Sequence, residues 1–346
     1  MTTPQNEITS AMDLLDENGR LKEAGWARKP LWRYDRSRIR APWHRIKEWD
    51  YYAVLSGDYG LTLTLSDLSY CALVAVCWLD FKKRTFTQIE SMRYLTCGDI
   101  GFPPSSESGD LHYEDSKMKI EVEIKGNQRV IGIDAPAFVS AQGARGLAAE
   151  IALDQDPAMD SMNIATSWEK NRRAFYYNRK INNMPATGSV VIGDHTYPFS
   201  PRSASACLDW GRGNWTYKNR WYWGSLSTMV EGKPFGLNLG YGFSDRTPAT
   251  ENMIFFDGVA HKLGQVTFHF NPADYMKPWT IDSDDGRLNI DFEPIVDRNS
   301  ALNLFVIASI QHQVFGYMTG TAILDNGEEI KFDRVLGFAE DVFNKW

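Results

Sequence analysis

The residues best suited to chemistry lie within 207–224, a segment crowded with Trp, Tyr and Arg around a single carboxylate, Asp209. Two glycines bracket the nearby Arg212, which predicts a tight bulge with close backbone approach. A carboxylate among aromatic side chains has its charged form disfavoured, whereas a neighbouring guanidinium favours that form. Two interpretations of Asp209 therefore stand: a proton-donating acid aimed into a cavity, or a structural ion pair with Arg212.

Aromatic and polar residues near Asp209 supply the remaining candidates. Along an expected strand, Trp221 and Trp223 face one side and Tyr222 faces the other, because strand side chains alternate. Indole faces on such a wall stabilise cationic character in a bound molecule. The candidate catalytic residues are Asp209, Tyr222 and Tyr241. The candidate ligand-binding residues are Trp210, Arg212, Trp215, Trp221, Trp223, Arg246, Glu251 and Asn252.

The sequence lacks the motifs of metal, serine-hydrolase and nucleotide chemistry. The sequence holds no HExxH, GxSxG, P-loop or dinucleotide-binding motif in a convincing context. The four cysteines form no CxxC pair, and none lies near a His at metal-ligand spacing. We therefore expect no cofactor and no metal, and we interpret the cysteines as reduced thiols.

Charge and hydropathy limit the partners. The formal net charge over 346 residues is −7, which argues against a general nucleic-acid binder, because phosphate contacts need clustered Lys and Arg. Residues 1–20 are polar and acidic, unlike a signal peptide, and the longest apolar run, 70–79, is too short to cross a bilayer. We expect no integral membrane segment and a cytoplasmic location. Since aromatic residues make up 13% of the chain, the expected partner is a small lipophilic molecule; the oligomeric state stays open.

The elements that would hold these residues are strands. Apolar and polar residues alternate over 61–65 and again over 117–124, as in half-buried strands. Asn326-Gly327 is a strong hairpin turn. Short strands broken by polar turns at this frequency predict an all-β antiparallel barrel or sandwich.

The strands fall into two sets behind an N-terminal arm. The arm covers 1–45, where Arg and Trp interleave, and we expect it to be held on the barrel by aromatic and cation–π contacts. The first set of strands covers 46–185 and the second covers 186–346, with the junction at Met184-Pro185 and the glycine that follows. Apolar residues at helical spacing over 337–346 predict a short closing helix.

Motifs along nearly the whole chain resemble those of a bacterial and fungal family classified only as a domain of unknown function. The resemblance implies no activity. The motifs that carry it are Gly19-Arg20, WARKP at 26–30, KEWDYY at 47–52, DWGRG at 209–213 with Trp215, GYGF at 240–243, Glu251-Asn252 and GFAED at 337–341.

A more distant resemblance is to the carotenoid 1,2-hydratase and lipocalin-type cyclase group. The start GSVVI at 188–192 leads through Tyr197 to Asp209 and Trp210, similar to a strand of that group that leads to an Asp with nearby aromatics. The resemblance implies two tandem lipocalin-like antiparallel barrels, with Asp209 as the protonating acid. The chain departs from the group's pattern at Leu208 and Trp210, where the group has a Trp shortly before the Asp and a polar residue after it.

Three functions follow as hypotheses. The first is an enzyme for acid-assisted hydration, isomerisation or cyclisation of an apolar unsaturated substrate inside the C-terminal barrel, with Asp209 as proton donor and Tyr222 or Tyr241 assisting. The second is a carrier that binds a lipophilic molecule without catalysis, where Arg212 or Arg246 pairs with a carboxylate head group. The third is a structural protein with a filled core. A pocket that reaches Asp209, with Arg212 turned away, would favour the enzyme.

Overall fold

The computed structural model describes residues 5–346, which form two curled antiparallel sheets. Strand accounts for 63% of the chain and helix for 2%, which confirms the predicted all-β class. One sheet has 13 strands and the other has 9, and a small parallel pair of strands accompanies them. Each large sheet curls into a half-barrel, as expected for tandem lipocalin-like barrels.

The predicted arm lies across both sheets, and its residues 1–4 fall outside the described residues. Trp26 and Trp32 are buried, whereas Trp43 stays half exposed, so two of the three Trp side chains anchor the arm. The amide of Gln5 donates to the backbone oxygen of Leu263 in the second half of the chain, at 2.7 Å. The arm's elements are β1 (Met12–Asp13), β2 (Gly25–Ala27), β3 (Trp32–Arg33) and two 3-10 helices, Arg36–Arg38 and Trp43–Arg45.

The first large sheet continues through the strand that carries Asp209. Its main path runs in the order β7-β6-β5-β4-β15-β13-β11-β10-β9-β8. Off this path, β12 and β14 pair with β13, and β2 pairs with β12. The strands are β4 (Ile46–Leu55), β5 (Tyr59–Asp67), β6 (Cys71–Asp80), β7 (Thr85–Tyr94), β8 (Leu111–Glu114), β9 (Lys119–Lys125), β10 (Gln128–Val139), β11 (Arg145–Asp154), β12 (Met162–Trp168), β13 (Asn171–Ile192), β14 (His195–Phe199) and β15 (Ser205–Asn214).

The second large sheet holds the rest of the chain in the order β19-β18-β17-β16-β24-β23-β22-β21-β20. Three of its strands have 17 residues each. The strands are β16 (Lys218–Val230), β17 (Lys233–Tyr241), β18 (Met253–Phe256), β19 (Val259–Lys262), β20 (Val266–His269), β21 (Trp279–Ser283), β22 (Leu288–Leu304), β23 (Ile307–Ile323) and β24 (Glu329–Lys345).

The predicted closing helix over 337–346 is wrong. This segment is the second half of β24 and pairs with both β16 and β23. Phe338 and Val342, which are four residues apart, lie on one face of a helix but also on one face of a strand. The spacing alone therefore fits both a helix and a strand, and pairing with β16 and β23 makes this segment a strand.

The predicted junction between 185 and 186 lies inside β13, and the change of sheet comes between Asn214 and Lys218. The Pro and Gly residues at the junction mark an irregularity in the strand instead. The pairing of β13 with β15 shifts register between Ile181 and Met184, and Asn183 there has a φ of 58°. A proline is tolerated in a strand at such a point.

The two sheets pack against each other through residues of their central strands. In β4 and β15, alternate side chains enter the core of the first sheet and the others face the second sheet. A buried apolar cluster between the sheets joins Tyr51 and Cys207 of the first to Trp223, Phe315 and Phe338 of the second. The strand that carries Asp209 therefore lies at the contact between the two halves.

Candidate functional site

A cavity of ≈ 630 Å³ lies between the two sheets. Strands β4, β5, β6, β7, β13 and β15 of the first sheet line one side, and β16, β22, β23 and β24 of the second sheet line the other. The site was expected inside the C-terminal barrel, and this expectation is wrong. The C-terminal half-barrel has a core of its own, packed with side chains such as Leu237, Phe268 and Ile290.

Asp209 lines this cavity and is held by three donors. Its Oδ2 pairs with Nζ of Lys180 at 2.6 Å. Its Oδ1 accepts from Nδ2 of Asn178 at 2.6 Å and from Nε1 of Trp49 at 3.1 Å. These contacts suit a carboxylate that accepts hydrogen bonds, and both ends of the ion pair are buried.

Arg212 lies on the opposite face of β15, because residues an odd number apart in a strand point to opposite sides. Its Nη1 pairs with Oδ1 of Asp50 at 2.9 Å, and the guanidinium lies 4.1 Å from the ring centroid of Trp210. The guanidinium is fully buried in the first sheet. The interpretation of Asp209 and Arg212 as an ion pair is therefore wrong, and Arg212 is turned away from the cavity.

The glycines that flank Arg212 make room for indole rings. β15 pairs with β4 without a break from Ser205 to Asn214, so the predicted bulge is wrong. A Cβ added at Gly211 would lie 2.1 Å from the ring of Trp49, and one at Gly213 would lie 2.9 Å from Nε1 of Trp215. Glycine at 211 thus lets Trp49 reach Asp209.

Glu340 is a second carboxylate in the cavity wall, on β24. Its Oε1 accepts from Nε1 of Trp221 at 2.9 Å, and its Oε2 accepts from Nε2 of Gln313 at 3.2 Å. Burial raises the pKa of Glu340 to about 7, although the hydrogen bond from Trp221 and the charge of Lys180 act to lower it. Both protonation states of Glu340 are therefore populated near neutral pH.

The side chain of Gln313 is oriented by two further donors. Its Oε1 accepts from the hydroxyl of Tyr51 at 3.0 Å and from Nη1 of Arg298 at 2.8 Å. Since an amide oxygen that faces donors turns the amide nitrogen the other way, Gln313 presents its N–H to Glu340. Residues of both sheets thus fix the position of this carboxylate.

Glu251, which is buried, and Glu90, which is exposed, also line the cavity. Burial raises the pKa of Glu251 above the ordinary value, and the charge of Lys180 acts against this rise. The negative charge of Asp209 adds to the rise. Two buried glutamates whose pKa values are raised thus stand near Asp209, which is paired with a lysine.

Lys180 is the cation that these carboxylates share. Beside its ion pair with Asp209, its Nζ lies 3.7 Å from the ring centroid of Trp223, and its charge acts on both Glu251 and Glu340. Arg298 is a second cation in the cavity wall, and its charge also acts to lower the pKa of Glu340. Burial nevertheless raises the pKa of both glutamates.

Aromatic rings form much of the remaining wall. Trp215 is central, with its ring centroid 4.9 Å from Phe243 in a stacked arrangement and 5.9 Å from Trp221. The ring of Trp346 lies 5.9 Å from that of Trp221. These rings leave a large apolar surface beside the carboxyl groups.

Six of the eleven predicted site residues line the cavity, and five lie elsewhere. Tyr241 accepts from the backbone N–H of Phe268 at 3.0 Å, and Arg246 donates to Gln265 at 2.7 Å. Asn252 bridges the backbones of Gly240 and Gly264, and Trp210 and Arg212 belong to the first sheet's core. The residues that line the cavity are Asp209, Trp215, Trp221, Tyr222, Trp223 and Glu251.

Sequence reasoning missed several residues of the cavity, and for Glu340 a signal existed. Glu340 lies between Phe338 and Val342 in a two-residue alternation, which in a strand places a carboxylate on an apolar face. The interpretation of that segment as a helix concealed this pattern. Pairing across distant strands brings together further residues that were missed, among them Trp49, Tyr51, Tyr176, Lys180, Arg298 and Gln313.

Within residues 5–346, no group of three His, Cys, Asp or Glu side chains is placed to hold a metal ion. No helix in the same range is both long and apolar enough to pass through a membrane.

One family model, described as a domain of unknown function, matches residues 5–346. The chain belongs to the DUF2804 family. This membership confirms the predicted family of unknown function and extends over nearly all of the sequence, including the residues of the cavity. Comparison of this DUF2804 protein with curated protein sequences finds no match.

Solved structures resemble the DUF2804 fold at low sequence identity. A protein described as AttH from Nitrosomonas europaea is 12% identical, with 86% of this chain and 92% of that chain covered, at a TM-score of 0.52. Kievitone hydratase from Nectria haematococca is 8% identical, over 87% of this chain and 88% of that chain, at a TM-score of 0.47. CghA with Sch210972 is 9% identical over the same shares, at 0.40. The likeness to AttH supports the shared fold.

Proposed function

We propose that this chain is an enzyme that catalyses acid-assisted hydration, isomerisation or cyclisation of an apolar unsaturated substrate in the cavity between the sheets. The observation that carries the proposal is the placement of Glu340, a buried acid with a donor on each oxygen, on an otherwise aromatic wall. A general acid works best when its pKa lies near the operating pH.

In this proposal Glu340 donates the proton, and Asp209 stays in its ion pair with Lys180. The π electrons of a substrate double bond take the proton of Glu340, which forms a C–H bond, a cationic carbon and the Glu340 carboxylate. The cation is stabilised by the faces of Trp215 and Trp221 and by the Asp209 carboxylate. The step creates an ion pair inside the cavity and leaves the net charge of the site unchanged.

The cation then has three fates that restore the acid. A water molecule adds to the cationic carbon and releases a proton to Glu340, which completes hydration. A neighbouring C–H bond returns a proton to Glu340, which completes isomerisation. A second double bond attacks the cation to close a ring, and the new cation then loses a proton to Glu340, which completes cyclisation.

The test begins with the compound that the protein itself selects. Native mass spectrometry of the purified protein identifies bound apolar molecules, and that compound is then incubated with the wild type and with Glu340→Gln. We expect both proteins to bind the compound and only the wild type to convert it. The exposed Glu328 offers a matched control, since Glu328→Gln makes the same change away from the cavity.

The carrier hypothesis makes the opposite prediction for the same experiment. If the wild type releases its bound compound, and a panel of related unsaturated compounds, unchanged at every pH tested, the enzyme proposal is overturned in favour of binding without catalysis. A wild type that binds nothing apolar contradicts both functions.

A further inference from the structure

Exposed apolar side chains surround the opening of the cavity. Four residues both line the cavity and lie in solvent, two from the first sheet and two from the second. Phe305 and Val306 continue this surface at the tip of the β22–β23 hairpin, where the side chain of Phe305 is 94% exposed. We call this surface the apolar rim, and its members are Met92, Tyr94, Leu302, Leu304, Phe305 and Val306.

The hairpin tip is held in place despite its exposure. Phe305 and Val306 form a two-residue turn between the paired residues Leu304 and Ile307. Turns of this kind normally take Gly, Asn or Asp, so a Phe-Val pair is an unusual apolar choice. The hydroxyl of Tyr217 donates to the backbone oxygen of Val306 at 2.7 Å, which fixes the tip beside the sheet.

Two lysines adjoin the tip without a carboxylate partner. Lys218 and Lys345 lie opposite each other on β16 and β24, and Nζ of Lys345 donates to the backbone oxygen of Phe305 at 2.9 Å. Within residues 5–346, no carboxylate comes within 4.0 Å of either ammonium group. A pair of like charges placed side by side is unfavourable unless a negative surface compensates it.

We propose that the apolar rim docks on an anionic lipid bilayer, so that the mouth of the cavity opens onto the acyl chains. Exposed aromatic and aliphatic side chains beside unpaired lysines are the composition that binds the interface of negatively charged membranes. A large apolar patch on a protein surface marks an interaction site. Because this patch is continuous with the cavity wall, docking would also let an apolar molecule enter without crossing water.

Co-sedimentation with lipid vesicles tests the proposal. The wild type is mixed with vesicles of phosphatidylcholine alone and of phosphatidylcholine with phosphatidylglycerol. We expect binding to the anionic vesicles, weakened at high salt because the lysine contribution is screened. The variant Leu304→Ser/Phe305→Ser should lower the partition coefficient at least about tenfold, and Lys218→Gln should lower it about fivefold on anionic vesicles only.

The control is Met229→Ser, which removes an exposed apolar side chain at the end of β16 remote from Lys218 and should bind like the wild type. Absence of wild-type binding to both vesicles, or equal binding by the wild type and the Leu304/Phe305 variant, overturns the proposal. So does a wild-type dimer in sedimentation velocity that Leu304→Ser/Phe305→Ser abolishes, because the rim then serves a second copy of the chain. Vesicle binding needs no turnover, so this proposal and the proposed enzyme function fail independently.

Discussion

The indole N–H of Trp221 donates to Oε1 of Glu340 at 2.9 Å, from β16 to the neighbouring β24. This bond lowers the pKa of Glu340, whereas burial raises it by more, and the balance leaves the pKa at about 7. Trp221 is one of two donors to this carboxyl group, with Gln313, and its hydrogen bond acts to lower the pKa.

Trp221→Phe keeps an aromatic ring but removes the donor, so the pKa of Glu340 should rise above about 7. The carboxyl C=O band of Glu340, followed by infrared difference spectroscopy over a pH series and assigned with Glu340→Gln, reports this pKa. Trp223→Phe is the matched control, because the N–H of Trp223 donates to Asn238. A midpoint that stays in place or falls in Trp221→Phe contradicts the assignment of this donor.

The raised pKa of Glu340 also predicts how stability depends on pH. Between the ordinary value of 4.5 and about 7, the folded protein holds a proton on Glu340 that the unfolded chain has lost. The contribution of Glu340 to the free energy of unfolding therefore falls as pH rises through this window, by at most about 1.4 kcal/mol per pH unit. Urea titrations from pH 4 to 8 should show a shallower fall for Glu340→Gln; parallel curves for the two proteins would refute the prediction.

Activity should decline on the alkaline side for the same reason. The proposed step needs Glu340 in its protonated form, and the protonated fraction falls as pH passes about 7. The pH profile of turnover by the wild type measures this limb once a substrate is in hand. Trp221→Phe should move the limb to higher pH, in agreement with the infrared midpoint.

The all-β class could be predicted from sequence because period-two alternation and hairpin turns are local signals. Asn326-Gly327, for example, stands at the turn between β23 and β24. Asp209 could be singled out as a candidate because a carboxylate among Trp residues is conspicuous. Its partner Lys180 could not be predicted from sequence. Lys180 belongs to β13, and only the pairing of β13 with β15 places it opposite Asp209.

The closing helix and the Asp209–Arg212 pair were wrong for related reasons. Apolar residues four apart satisfy two periods, and neighbours in sequence point to opposite faces once a strand forms. Because residues 337–346 were interpreted as a helix, Glu340 was not recognised as a residue on the apolar face of a strand. The position of the cavity between the sheets depends on how two half-barrels pack, which leaves little trace in local pattern.

The ion pair of Lys180 and Asp209 predicts a coupled effect on stability. Lys180→Met leaves the buried Asp209 carboxylate without its cation, and we expect a loss of about 3 to 5 kcal/mol in the free energy of unfolding. Adding Asp209→Leu removes the stranded charge and should recover much of that loss. Urea unfolding of the two single variants and the double variant measures the coupling, and strictly additive losses would contradict a direct pair.

Gly211 predicts a steric effect that can be separated from glycine flexibility. A Cβ in Gly211→Ala would meet the ring of Trp49 at 2.1 Å, so the indole must move away from Asp209, at a cost of about 1 to 3 kcal/mol. Gly57→Ala is the control, because nothing lies within 4 Å of the added Cβ. Thermal unfolding of both variants tests this, and equal melting temperatures would show that Trp49 is not confined.

Solvent isotope incorporation measures whether Glu340 transfers a proton to a carbon of an apolar substrate. An apolar extract of the source organism is incubated with protein in deuterated, ¹⁸O-labelled water and analysed by mass spectrometry. We expect a product that carries carbon-bound deuterium, with ¹⁸O as well if water adds, and a loss of roughly 10²- to 10⁴-fold in its formation with Glu340→Gln. Equal labelling by the wild type and Glu340→Gln would rule out proton donation by Glu340.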